Sequence, residues 1–137
     1  MPMQQDWYVD QRVAFVRFWG EITVHDVVEA LDISARLVDE GAQPHVHFLH
    51  DWTEINNFPT NIIQIRQKSN VALEDEEKLG WMVVYGLDNR LLRFISQTVL
   101  QVFGIRFRMF ETQEEAIAFL NEIDPTLPSI PPIDRLN

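Results

Sequence analysis

The chain has 137 residues, no cysteine, and a net charge of −10 from 21 acidic and 11 basic residues. That length supports one domain with its own core, and the missing cysteines exclude a disulfide framework, a thiolate metal site and a cysteine nucleophile. The acidity excludes the basic footprint with which a general nucleic-acid binder displaces phosphate counterions, and it disfavours anionic membrane surfaces.

The opening MPMQQDWYVD has no basic n-region and no apolar core, so no signal peptide is read there. No apolar run approaches the roughly 20 residues that span a bilayer. The expectation is a cytoplasmic, acidic protein with no membrane and no nucleic-acid partner.

Trp7 to Val9 reads as a first strand and Val13 to Thr23 as a second, joined at Asp10-Gln11 by a hairpin. Both faces of VAFVRFWGEIT are largely apolar, which predicts an inner strand. Thr23 and Asp26 resemble a capping box. The helix they open runs to about Glu40, with Val27, Leu31, Ala35 and Val38 as its stripe. Gly41 is expected to stop it in the left-handed conformation. His45 to Trp52 reads as strand three and Thr53 to Phe58 as a polar loop. Pro59 and Thr60 open a second helix carrying Ile62, Ile63, Ile65 and Ala72, and Glu74 to Lys78 is a charged, solvated end.

Trp81 to Tyr85 is a continuous apolar run, as in a buried central strand. Asp88 as cap and Gly104 as stop bracket a third helix, Arg90 to Phe103. Arg106 to Phe110 alternates as strand five. Thr112 and Glu115 form a capping box for a fourth helix with Ala116, Ile117, Phe119, Leu120 and Ile123 inward. Pro125, Pro128, Pro131 and Pro132 predict an extended tail. The reading is an α/β domain over residues 1–124, with a single mixed sheet of about five strands and four helices, followed by a Pro-rich tail over 125–137.

This order of elements, carried by VAFVRFWGEIT, the helix beginning at His25, HVHFLHDW and WMVVYGL, resembles the SpoIIAA-like group of the STAS fold, the anti-sigma-factor-antagonist domain. The resemblance covers about residues 5 to 124. It implies STAS topology with helices mainly against one face of the sheet. It implies a non-catalytic regulatory or binding module whose partner is a protein or, in some related domains, a small apolar or nucleotide ligand. The chain looks closer to SpoIIAA-like proteins of unknown function than to true antagonists. A true antagonist carries an Asp-Ser-Ser/Thr-Gly turn after the third strand, and its serine is phosphorylated. The matching stretch here is Asn57-Phe58-Pro59-Thr60-Asn61, without serine or glycine. Thr60 is the candidate phosphosite, at a helix start that would favour an anion; the plainer role for it is an N-cap. The partner surface implied is Thr53, Glu54, Asn56, Asn57, Phe58, Thr60 and Asn61.

Helix three is apolar over roughly two-thirds of its circumference, more than one sheet contact needs. Leu92, Phe94, Val99, Leu100 and Phe103 are therefore candidates for a homodimer interface. The string His45-Val46-His47-Phe48-Leu49-His50-Asp51 invites a metal reading, because His45 and His47 share one strand face. It is similar to the HxHxDH of metallo-β-lactamase-like hydrolases, but Leu49 stands where that motif needs an aspartate, and no third or fourth ligand is evident. His50 and Asp51 at the end of strand three could serve acid–base chemistry. No GxGxxG, GxxxxGK[ST] or GxSxG string accompanies them. The sequence thus assigns no catalytic residue, metal or cofactor. The rival is a small metal-dependent hydrolase built on His45, His47, His50 and Asp51. A third reading is an apolar-ligand carrier with Trp52 walling a pocket, against plain packing of that ring. Trp19 and Trp81 are expected to fill core.

Overall fold

A computed structural model describes residues 3–69, 72 and 76–130. Five strands, β1 (Met3–Val9), β2 (Val13–Glu21), β3 (Val46–Asn57), β4 (Leu79–Tyr85) and β5 (Phe107–Phe110), form one sheet in that spatial order. β1 pairs antiparallel with β2, and every later step is parallel. A parallel step needs a crossover. Helices α1 (Val24–Glu40), α2 (Ile62–Lys68) and α3 (Arg90–Val102) supply the three crossovers, and α4 (Gln113–Ile123) follows β5.

Alternation along the strands divides the core in two. Ala14, Val16, Phe18, Phe48, Trp52 and Val84 face α1, α2 and α3 through Val38, Ile65, Leu92, Val99 and Leu100. On the other face Val13, Leu49, Val83 and Tyr85 meet Ala116, Ile117 and Leu120 of α4, with Ile130. Three helices on one face and one on the other match the expected asymmetry, and the mixed five-stranded sheet with four helices is the fold class read from the sequence. Both capping boxes form: Thr23 with Asp26, and Thr112 with Glu115.

Several local expectations are overturned. β3 does not end at Trp52. Residues 53–57 continue the strand along β2, up to the Glu21–Asn57 pair, with register shifts. Ile55, followed by Phe58, is buried, and that burial extends the strand through a polar stretch. α2 then begins only at Ile62, and its cap is Asn61, whose side chain accepts from Gln64 N; Thr60 does not cap it. Ala72 falls outside α2, and residues 74 and 75 of the charged run lie outside the described residues. Lys78 is not solvated freely: its Nζ donates to the carbonyls of Asp39 and Gly41.

Asn89, not Asp88, caps α3 through Leu92 N. Gly104 ends that helix with φ 70°, whereas Gly41 is extended at φ −74° and needs no left-handed freedom. Trp19 is 38% exposed and belongs to neither core cluster, so it is not core filling. Trp81 is half-buried, edge-on to Phe119. Residues 125–130 do not project as a tail. Leu127 N donates to Asp124 O and Ile130 is buried against β2, β3 and α4; residues 131–137 lie outside the described residues.

Candidate functional site

The predicted partner loop is dispersed. Thr53, Glu54, Asn56 and Asn57 are exposed strand residues, and Arg17 Nη2 pairs with Glu54 Oε1 at 3.2 Å. Phe58 is buried against Trp52, with ring centroids 5.5 Å apart, so it presents no partner surface. Thr60 and Asn61 are exposed before α2.

The predicted interface on α3 is also divided. Leu92, Val99, Leu100 and Phe103 are buried in the chain's own core and cannot meet a second copy. Their apolar excess is spent on the sheet and on α2, where Arg66 lies 4.8 Å above the Phe103 ring. Phe94 is the exposed one of the five, at 67%. Leu91 and Val102 share its helix face, and Ile63 of α2 is exposed too.

The histidines do not form one centre. The rings of His45 and His47 are 6.1 Å apart, but His50 lies on the opposite sheet face from His47, among Phe18, Phe48 and Trp52. Asp51 points away from His50, as strand alternation demands, and accepts from Thr53 N at 2.9 Å. Among the described residues no three His, Cys, Asp or Glu are arranged to hold a metal ion.

His47 instead joins a network that sequence reading missed. Its Nδ1 accepts from the Trp81 backbone N–H at 2.9 Å. The proton therefore sits on Nε2, which donates to Asp124 Oδ2 at 2.8 Å. Arg12 Nη2 donates to the same oxygen at 3.2 Å and to Thr126 Oγ1 at 2.7 Å. Thr126 closes the ring through its N–H and hydroxyl to Asp124 Oδ1. Gly80 makes room, since a Cβ there would collide with the His47 ring. Burial lowers the His47 pKa, only partly offset by Asp124. With both ring nitrogens engaged, this His–Asp pair has no lone pair to offer a substrate as a general base. A cleft of about 370 Å³ beside it is lined by His45, His47, Trp81, Arg106 and Asp124. Several of its polar groups already bind protein: the network above, and Arg106 Nη2 to Leu79 O at 2.7 Å.

A second cavity differs. It lies between the sheet and helices α1 and α3, with a volume of about 60 Å³. Phe18, Leu31, Met82, Leu100 and Phe103 are among its apolar walls, and Trp52, packed in the core at 2% exposure, also lines it. His50 lines it too, only 3% exposed. The Trp52 indole Nε1–H donates to His50 Nδ1 at 3.1 Å, while His50 Nε2 is buried without a hydrogen-bond partner among the described residues. Burial pushes the His50 pKa down to about 3, so the ring is neutral at ordinary pH. The sequence carried a signal for this pair: His50 and Trp52 are two apart on a strand and so share a face.

No helix among the described residues is long and apolar enough to cross a membrane. No family model matches the chain, and no curated protein matches it. Solved structures do. One is an uncharacterised DUF3478-family protein with a SpoIIAA-like fold from Shewanella loihica PV-4, at 15% identity and a TM-score of 0.56, with 86% of this chain and 91% of that chain covered. Another is the anti-sigma factor antagonist SpoIIAA in its unphosphorylated form, at 18% identity and a TM-score of 0.58, with 89% of this chain and 98% of that chain covered. The strand order, the three helices on one face and these two superpositions agree: the chain has a SpoIIAA-like fold.

Proposed function

We propose that this chain is a non-catalytic binding module that takes a small, mostly apolar ligand between its sheet and helices α1 and α3. The observation that carries the reading is the apolar cavity of about 60 Å³ around a neutral, enclosed histidine. Protein interiors are close-packed, and an empty apolar space of that volume costs about 1–1.5 kcal/mol. An apolar molecule in it would recover the lost contacts. The non-catalytic part rests on His47, whose nitrogens are both engaged, and on His50 and Asp51, which lie on opposite faces.

Titration with methylenecyclopentane, followed by methyl NMR, tests the reading. Saturable shifts are expected at Leu31, Val99 and Leu100, which line or flank the cavity. Ala30→Phe, at a half-buried wall position on α1, should weaken binding at least tenfold while the fold persists. Absence of saturable shifts in the native chain would end the proposal.

A second reading has its own observation. Leu91, Phe94 and Val102 expose apolar surface along one face of α3, with Ile63 exposed on α2, and Arg66 Nη2 ties α2 to the Val102 carbonyl. A second copy of the chain is the occupant this face suits, since symmetric dimers are the commonest oligomers. Sedimentation should then give a dimer for the native chain and a folded monomer for Phe94→Asp. A native chain that stays monomeric at high micromolar concentration would refute it.

A further inference from the structure

We propose that His50 is the polar anchor of the apolar cavity, and that the ligand it selects is a neutral molecule with a carbonyl acceptor and no donor: a ketone, an aldehyde or an ester. This rests on the apolar-ligand reading above and specifies its chemistry.

The assignment follows from hydrogen-bond roles. An indole N–H only donates, so the 3.1 Å contact from Trp52 makes His50 Nδ1 an acceptor. The neutral imidazole then carries its single proton on Nε2. That N–H is the donor left buried without a partner. The ring cannot trade tautomers cheaply, because a proton on Nδ1 would face the Trp52 donor. It is also held in place, stacked on Phe18 with centroids 5.8 Å apart and edge-on to Trp52 at 5.8 Å.

An unmade hydrogen bond in an apolar wall is costly, more so than a made one is favourable. Water is held weakly here. A buried water takes two to four polar partners, and His50 and Ser34, the polar side chains among the described residues that line this cavity besides Trp52, supply at most the lower number. An ionised ligand is disfavoured, since no charged residue among the described ones lines the cavity to replace its hydration. A ligand with only N–H donors would set them against the His50 N–H, and a hydroxyl, although its oxygen can accept, would carry its own O–H donor into a mostly apolar wall. A carbonyl oxygen on an apolar body matches both the wall and the anchor.

The probes are cyclopentanone and methylenecyclopentane, which share a shape and differ in C=O against C=CH2. Their affinities are measured by methyl NMR on the native chain and on His50→Phe, which keeps a flat ring in the wall. The ketone-to-hydrocarbon affinity ratio is expected to fall about tenfold in the variant, as loss of one buried hydrogen bond implies. In the native chain, the His50 Nε2–H resonance should move with the ketone and stay put with the hydrocarbon. This second readout needs no variant, so it stands even if His50→Phe fails to fold. Equal ratios in the two chains, or a stationary Nε2–H, would overturn the anchor while leaving apolar binding intact. Binding of neither probe would overturn the apolar-ligand reading itself.

Discussion

Replacing Asp124 by alanine is expected to destabilise the protein by about 3–5 kcal/mol, the usual cost of removing one member of a buried charged network. Only 8% of the Asp124 side chain is exposed, and 14% of its partner Arg12. The substitution removes the carboxylate that Arg12 Nη2 and the His47 Nε2–H share, leaving His47 Nε2–H without its acceptor and Arg12 without its counter-charge, and it frees Thr126, which the carboxylate holds. The network ties the start of β2 to β3 and to the segment after α4, so Leu127, whose N–H donates to Asp124 O, should lose protection from hydrogen exchange. Burial alone would raise the Asp124 pKa; hydrogen bonds from Thr126 and His47 outweigh it and hold the carboxyl at about 2. A carboxyl held low stabilises the fold above the ordinary carboxylate pKa and ceases to do so as pH falls through its own. Urea unfolding at neutral pH checks the prediction. Asp124→Asn, which keeps one acceptor oxygen, should lose less than alanine. A loss under about 1 kcal/mol for alanine, the scale of an exposed ion pair, would mean that the network does not join these elements.

The sequence made the element order legible because local rules dominate there. Thr23 and Thr112 sit before amphipathic stretches with an acid three residues on, and both caps form. The apolar alternation of Val13 to Phe18 placed one sheet between two cores. The end of β3 was misread because Thr53, Glu54, Asn56 and Asn57 are typical loop residues. Pairing with Trp19, Gly20 and Glu21 of β2, a tertiary effect, overrides that preference. α3 looked too apolar for one contact because the sequence does not show that Phe103 would pack beneath Arg66 of α2. The Asp124–His47 pair spans 77 residues, and no local spacing announces it. The metal reading failed on alternation: His47 and His50, three apart on one strand, face opposite ways. His50 with Trp52 was accessible from the same rule, but the partnerless Nε2 appears only when α1 and α3 close over the strand.

Acidification from pH 6.5 to 4.5 is expected to cost the native state about 2–3 kcal/mol through His50 alone. In the unfolded chain this imidazole titrates near its ordinary pKa of 6.5, whereas burial in the fold lowers it to about 3. A group whose folded pKa is depressed makes the unfolded state bind more protons in between, so stability is full above 6.5 and falls as pH drops below it. His47, also lowered by burial, adds in the same direction. Urea midpoints across this range should therefore slope steeply for the native chain and less so for His50→Phe, whose own loss comes from leaving the Trp52 N–H without its acceptor. A parallel slope in the two chains would show that His50 is not kept neutral. Throughout this window the folded imidazole remains uncharged, so its Nε2–H is the same donor at pH 5 as at pH 8. Acid thus weakens the fold by drawing on the unfolded state, while the chemistry of the cavity stays constant for as long as the fold survives.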